Sequence, residues 1–200
     1  EIGMPALIAQ SHFDLMVLYV ALAVCYAPEW VGTFFQNPEK SAVRRDRGSY
    51  ALIMGSMCAG IFLAFFVVSA VPSATITWQQ PLVFWTGIVL MLAGAAFRWY
   101  AIKVLGKFFT RSVATRAGQY VVDTGPYRLI RHPSYTGAMV TILGLGLAMT
   151  NWLSLALVVL GMLIGYAYRV RVEEWALCTD LGRPYRDYMQ HTKRFIPHVW

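Results

Sequence analysis

Charge is what this 200-residue chain has least of: 14% of its residues are charged and 58% are apolar. Soluble domains carry about 25% charged and about 45–50% apolar residues. The deficit excludes an ordinary soluble surface, and the positive mean hydropathy agrees. Cysteine is also scarce. Cys25, Cys58 and Cys178 are odd in number, and their spacing suits neither a zinc site nor a disulfide framework. They read as packing residues. There is no GxGxxG after a strand, no P-loop, no His/Cys metal cluster and no suggestive Ser/His/Asp order. Internal repeats and low-complexity linkers are absent too, so the chain reads as a single domain over 1–200. The first apolar run has no basic flank ahead of it, so no cleavable signal peptide is expected. Glu1-Ile2-Gly3 reads as a truncation edge.

What is present is hydrophobic length. A bilayer-spanning helix needs about 20 mostly apolar residues. Five candidates fit: 13–28, 50–71, 82–101, 133–149 and a run from 152 past 168 that meets no breaker before Gly182. The last is too long for a span alone, so its second half, 169–181, is expected to project into the cytoplasm as a continuing helix. The fold class is therefore an all-α integral membrane protein of five transmembrane helices, three of them in 1–105. Only Thr150 and Asn151 separate the fourth and fifth, which forces an antiparallel helical hairpin. Gly137, Gly144 and Gly146 on one arm, and Gly161 and Gly165 on the other, allow close backbone approach in lipid.

The basic residues are one-sided. Lys40, Arg44, Arg45 and Arg47 form one group, seven more lie in 98–132, and six lie from Arg169 to the end. These groups hold all 17 Lys and Arg. The loop at 72–81 and the 150–151 turn have none. The positive-inside rule then puts the N-terminus outside and the C-terminus in the cytoplasm. Trp78 and Trp152 suit the outer interface, and Trp30, Trp99 and Trp175 the inner one. In so apolar a chain the net charge of +7 marks loops facing anionic lipid, and nucleic acid is not expected as a partner.

Two inner stretches are unusual: GQYVVDTGPYRLIRHPSYTG at 118–137, and YRVRVEEWALCTDLGRPYRDY at 168–188, followed by KRFIP at 193–197. Thr124-Gly125-Pro126-Tyr127 is a turn signal. Pro133 suits a first helical position. The amides of Ser134, Tyr135 and Thr136 are then expected to face the interface, where open amides attract a carboxylate or phosphate. A plain helix start capped by His132 and Ser134 is the other reading. Arg169 and Glu173, four apart, share a helical face, while Arg171 and Glu174 point elsewhere. An interfacial salt bridge explains that pair equally well. Spacing alone stops at a membrane protein with a polar cytoplasmic site.

The combination of GPYRLIRHPSYTG, a hydrophobic hairpin, paired glutamates, LGRPYRDY and KRFIP resembles the isoprenylcysteine carboxyl methyltransferase family, over roughly half the chain. Its wider superfamily includes phospholipid N-methyltransferases. The compact five-span layout resembles the prokaryotic branch. The resemblance implies S-adenosyl-L-methionine as methyl donor, with S-adenosyl-L-homocysteine as product and no metal, held at the cytoplasmic side by residues 106–200. It implies cofactor contacts at Gln119, Tyr120, Val121, Val122, Tyr127, His132, Pro133, Ser134, Tyr135 and Glu173. The family often has His where Gln119 stands. Arg169 falls at the position that meets the substrate, a lipophilic molecule entering from the bilayer. A carboxylate acceptor is already ionised at neutral pH, since α-carboxyls titrate near about 3.3–3.7. It then needs positioning and a bidentate Arg partner rather than a base. A lipid amine, a small thiol or another apolar acid stays open as acceptor, with Glu174 or His132 to take a proton from an amine or thiol. So do an NADPH-binding reductase, since sterol reductases have a similar C-terminal region, and a non-enzymatic membrane scaffold. The sequence leaves the oligomeric state open.

Overall fold

The structure is a computed structural model that describes residues 12–35 and 43–197, with side chains of 28–35 left aside. Lys40, the side chain of Trp30 and Glu1-Ile2-Gly3 lie outside the described residues. Among the described residues, six α-helices carry the fold: α1 His12–Phe35, α2 Ser49–Ala70, α3 Gln80–Leu105, α4 Pro133–Ala148, α5 Trp152–Asp180 and α6 Arg183–His191. α1 runs past Pro28, where the sequence pattern ends its span; transmembrane helices tolerate an internal proline where the freed backbone groups find other partners. A two-residue antiparallel pair was not expected: β1 Val43–Arg44 lies against β2 Ala114–Thr115.

Among the described residues, three helices are long and apolar enough to cross a membrane: Ser49–Ala70, Gln80–Phe108 and Trp152–Asp180. The apolar helices His12–Ala27 and Pro133–Ala148 are shorter. At 1.5 Å per residue, α4 is about 24 Å long, below the about 30 Å of a hydrocarbon core. α5 is continuous through the polar 169–180 stretch, as the lack of a breaker predicts.

Glycine decides which helices pair. A Cβ on Gly94 would lie 2.5 Å from the Thr141 nitrogen, and one on Gly144 2.5 Å from that of Met91. One on Gly161 would lie 2.5 Å from the Ser56 carbonyl oxygen. The hairpin glycines thus mostly serve other partners than each other. Gly137 and Gly144 seat α4 on α3, and Gly161 and Gly165 seat α5 on α2. Only Gly146 meets the other arm, at Leu155 and Val158. Both pairs are antiparallel. The Ser154 hydroxyl adds a 2.8 Å bond to the Ala64 carbonyl between α5 and α2. Buried Leu18, Val68, Phe84, Met91, Ile142, Leu145 and Met149 fill the space between the pairs. The hairpin turn is built as its sequence requires. Asn151 caps α5 by accepting from the amides of Leu153 and Ser154 at 3.1 and 3.0 Å. Its side chain also donates to the Val71 carbonyl at 3.3 Å. This helix order leaves the 72–81 loop and the 150–151 turn at one end. The 43–49, 106–132 and 169–197 stretches, with most of the Lys and Arg, gather at the other.

Candidate active site

At the basic end, 193–195 runs beside 129–132. The amides of Arg131 and His132 donate to the carbonyls of Lys193 and Arg194 at 2.7 and 3.1 Å. The Thr136 hydroxyl donates to the Phe195 carbonyl at 3.0 Å. KRFIP is therefore the strap that fixes the entry to α4. Gly125, at φ +55°, starts the 3₁₀ turn Gly125–Arg128 that precedes it. Pro133 is the first residue of α4, as its missing N–H requires. The anion site expected at this helix start is mostly closed. The amides of Tyr135 and Thr136 both donate to the His132 carbonyl at 3.0 Å, and His132 and Ser134 make no side-chain cap.

The two adjacent glutamates of α5 have opposite fates. Glu174 is 5% exposed and inside a cationic cage. Arg131 Nε donates to its Oε1 at 2.9 Å, Arg194 Nη2 to its Oε2 at 2.8 Å, and His132 Nε2 lies 3.3 Å from Oε1. Arg131 also donates to the Met189 and Thr192 carbonyls. This locked carboxylate, with His132 3% exposed against it, cannot readily collect a proton from an acceptor. Glu173 faces the other way. Its Oε2 accepts a short hydrogen bond from the Tyr135 hydroxyl. Its Oε1 has no hydrogen-bond partner among the described residues.

Arg169 and Glu173 share a face, but they are not a salt bridge. The Tyr135 hydroxyl stands between them, receiving Arg169 Nε at 3.1 Å. Arg169, 4% exposed, pairs with Asp46 at 2.6 Å from Nη1 to Oδ1. The same nitrogen donates to the Ser49 hydroxyl at 2.9 Å, and Nη2 donates to the Arg111 carbonyl at 2.5 Å. Four of the five guanidinium N–H groups are thus used. A bidentate fork is not available to a carboxylate unless one of these bonds breaks. Sequence reasoning missed Asp46. The one signal was Asp46-Arg47-Gly48-Ser49 ahead of an apolar run, a helix-start pattern.

One pocket collects these groups. Gln119, Tyr120, Val121 and Val122 form one wall, with Tyr127, His132, Ser134 and Tyr135 across from α5's Arg169 and Glu173. Of the expected residues, only Pro133 does not line it. Gln119 brings its position rather than a free side chain, because its Oε1 accepts from the Arg116 amide at 2.9 Å. Lining residues not expected from sequence include Phe108, Thr115, Arg131, Ala176, Tyr185 and Tyr188. The Tyr135 ring stacks on His132 at 5.4 Å with 7° between planes. The Tyr188 hydroxyl donates to the Tyr127 carbonyl at 2.6 Å. Burial pushes the Tyr127 and Tyr188 hydroxyls above the ordinary tyrosine range, so both stay neutral donors at physiological pH. No group of three or more His, Cys, Asp or Glu side chains among the described residues could hold a metal ion.

This arrangement sits inside a stretch that has relatives. Residues 86–179 match the model of the isoprenylcysteine carboxyl methyltransferase (ICMT) family. That match covers just under half of the chain. A probable protein-S-isoprenylcysteine O-methyltransferase of Oryza sativa subsp. indica is 28% identical over 117 residues, covering 58% of this chain and 61% of the relative. A cobalt-zinc-cadmium resistance protein, CzcN, of Cupriavidus metallidurans is 31% identical over 125 residues, 62% of this chain and 53% of that one. The fold resembles the structure of the eukaryotic intramembrane Ras methyltransferase ICMT, with a TM-score of 0.57 and 23% identity. That match covers 90% of this chain and 60% of the other. The chain spans 61% of the length of the rice relatives. With this ICMT fold and its three long apolar helices, the protein is an integral membrane protein.

Proposed function

We propose that this protein is an S-adenosylmethionine-dependent methyltransferase. It transfers a methyl group to the carboxylate of an isoprenylcysteine-like lipophilic acceptor at the cytoplasmic membrane face. The observation that carries this reading is the pairing of Glu173 and Arg169 through Tyr135 in one pocket lined by the family-like 119–122 and 132–135 stretches.

The side chains present fit a cationic, aromatic donor. Glu173 offers a carboxylate oxygen without a hydrogen-bond partner among the described residues, and the rings of Tyr120, Tyr127 and Tyr135 line the same pocket. Aromatic faces and a carboxylate both favour a sulfonium over a neutral product. When bound, the donor supplies an electrophilic methyl on sulfur. The chain's residues then do the positioning. Glu173 and the tyrosines hold the donor side, and Arg169 presents its remaining Nη2 hydrogen to the acceptor. Tyr135, bonded to both, keeps the two sides in fixed relation. An ionised carboxylate acceptor needs no base, which suits a site whose buried Glu174 is locked by arginines. The acceptor's tail enters from the bilayer.

The same reading includes five spans, with the N-terminus outside and the C-terminus and site in the cytoplasm. The one-sided charge distribution supports it. A single observation favours a second acceptor class. Asp46 already neutralises Arg169, which suits an uncharged lipid thiol or amine better than an unpaired cation would. The test is methyl transfer from labelled donor to a farnesylcysteine analogue, set against its carboxamide and a lipid amine. Transfer to the free acid alone supports the carboxylate reading. Transfer to the amine alone replaces it with the second.

A further inference from the structure

We propose that Asp46, in the segment joining α1 to α2, is a positioning residue that fixes the Arg169 guanidinium. The acceptor end of the site is then completed from outside the 86–179 stretch that carries the family match. The proposal rests on the reading of Arg169 given above. Asp46 is itself held by two backbone amides independent of Arg169 and by the Ser49 hydroxyl, which Arg169 also meets. Its Oδ2 accepts from the Tyr50 amide at 3.0 Å. Its Oδ1 accepts from the Ser49 hydroxyl at 2.9 Å and the Val113 amide at 3.1 Å. It is therefore a fixed post at the start of α2. A displaceable stand-in for an acceptor's carboxylate would not be tied to that helix start and to the neighbour of β2.

The segment around Asp46 is clamped on both sides. β1 pairs with β2 in the pocket wall, and the Arg45 amide donates to the Val113 carbonyl at 2.8 Å. Arg45 Nε donates to both Asp180 oxygens, at 2.9 and 3.0 Å, and the Thr115 hydroxyl donates to the same carboxylate at 2.6 Å. The Arg47 guanidinium sits 3.8 Å over the Trp175 ring, and the Tyr168 hydroxyl donates to the Arg47 carbonyl at 3.1 Å. The segment thus spans α5 at Tyr168, Trp175 and Asp180, around the turn that bears Arg169. A long arginine side chain has many rotamers, and immobilising it in one is costly. Asp46 and Ser49 together remove that freedom before an acceptor arrives, which is the physical meaning of preorganisation.

The experiment uses the full chain in detergent or nanodiscs. Asp46→Asn, Asp46→Glu, Arg169→Ala and the Asp46→Asn/Arg169→Ala double variant are assayed for methyl transfer. The side-chain Nε–H signal of Arg169, assigned by its loss in Arg169→Lys, is followed by NMR. Asp46→Asn is expected to lower kcat about 10–100-fold, the range of a small misplacement. It leaves S-adenosylhomocysteine affinity unchanged and broadens or averages the Arg169 signal. In the Arg169→Ala background it is expected to add nothing, because coupled residues are not additive. Asp46→Glu keeps the charge and recovers part of the rate. An unmoved Arg169 signal, full turnover, or an equal loss in both backgrounds overturns the proposal. If Asp46→Asn does not fold, Asp46→Glu decides by the same two readouts: full turnover with an unmoved signal rejects it. If the wild type methylates no acceptor, the proposed function has failed, and the NMR result decides the role of Asp46 by itself.

Discussion

Arg169 and Asp46 are 123 positions apart in the chain and 2.6 Å apart at Nη1 and Oδ1. That contact makes Arg169 a side chain with four N–H groups committed and one to offer. Arg169→Ala is expected to lower kcat by about 10²–10³, the loss typical of removing one preorganised donor. Product affinity changes less, because the remaining Arg169 N–H is offered to the acceptor and not to the donor side. Arg169→Lys keeps the charge but cannot satisfy Tyr135, Ser49, Asp46 and the Arg111 carbonyl together, so it recovers only part of the rate. Steady-state kinetics and product titration of both variants check this. Collapse of product binding along with turnover would put Arg169 on the donor side instead.

The two glutamates separate binding from stability. Glu173→Ala is expected to weaken S-adenosylhomocysteine binding with little change in thermal stability. Glu174→Ala leaves Arg131 and Arg194 without their buried counter-charge and is expected to destabilise the protein by about 3–5 kcal/mol. Thermal denaturation and ligand titration are measured on both. Equal effects of the two variants in both assays would contradict the opposite orientations on which this rests.

Acid sensitivity follows from Asp46. Burial pushes its carboxyl up, but hydrogen bonds from the Tyr50 and Val113 amides and the Ser49 hydroxyl, with the Arg169 charge, hold it below its ordinary value of 3.8. The folded state therefore binds this proton less readily than the unfolded chain does. Its stabilisation is complete above the ordinary carboxylate range and is lost as pH falls through the lowered folded value. Asp46→Asn should narrow the stability gap from wild type only below about pH 4, the ordinary Asp range. A gap that instead changes between pH 6 and 8 would assign the effect to another group.

Helix seating gives a test independent of chemistry. Gly144→Ala places a methyl 2.5 Å from the Met91 backbone nitrogen, where neither helix can yield without parting, whereas Gly55→Ala meets nothing within 4 Å. The first is expected to cost about 1–3 kcal/mol, the usual range for overpacking, and the second to be neutral. Thermal unfolding in the same detergent compares them. Similar melting for both would mean that α3 and α4 are not in this contact.

The parts of this molecule legible in sequence are those encoded locally. The helix start at Pro133, the turn at 124–127, the shared face of Arg169 and Glu173, and the unbroken run of α5 each rest on spacing within a few residues. Glycine's partners were not legible: Gly137 and Gly161 announce a close approach without naming the helix that approaches. Nor could the sequence separate Glu173 from Glu174 in chemistry, because the cage around Glu174 comes from Arg131 and Arg194, 43 and 20 positions away. Asp46 ahead of an apolar run signals a helix start and nothing about a distant partner. Its pairing with Arg169 exists only once α2 lies against α5.

The central claim is that the pocket between 119–135 and α5 takes S-adenosylmethionine and its product. Isothermal titration of the purified full chain with S-adenosylhomocysteine, and separately with NADPH, tests it most directly, with Glu173→Ala as the paired variant. The prediction is saturable, one-to-one binding of S-adenosylhomocysteine that Glu173→Ala weakens, and no heat from NADPH. Saturable NADPH binding without S-adenosylhomocysteine binding would contradict the account and make the protein a nicotinamide-dependent enzyme.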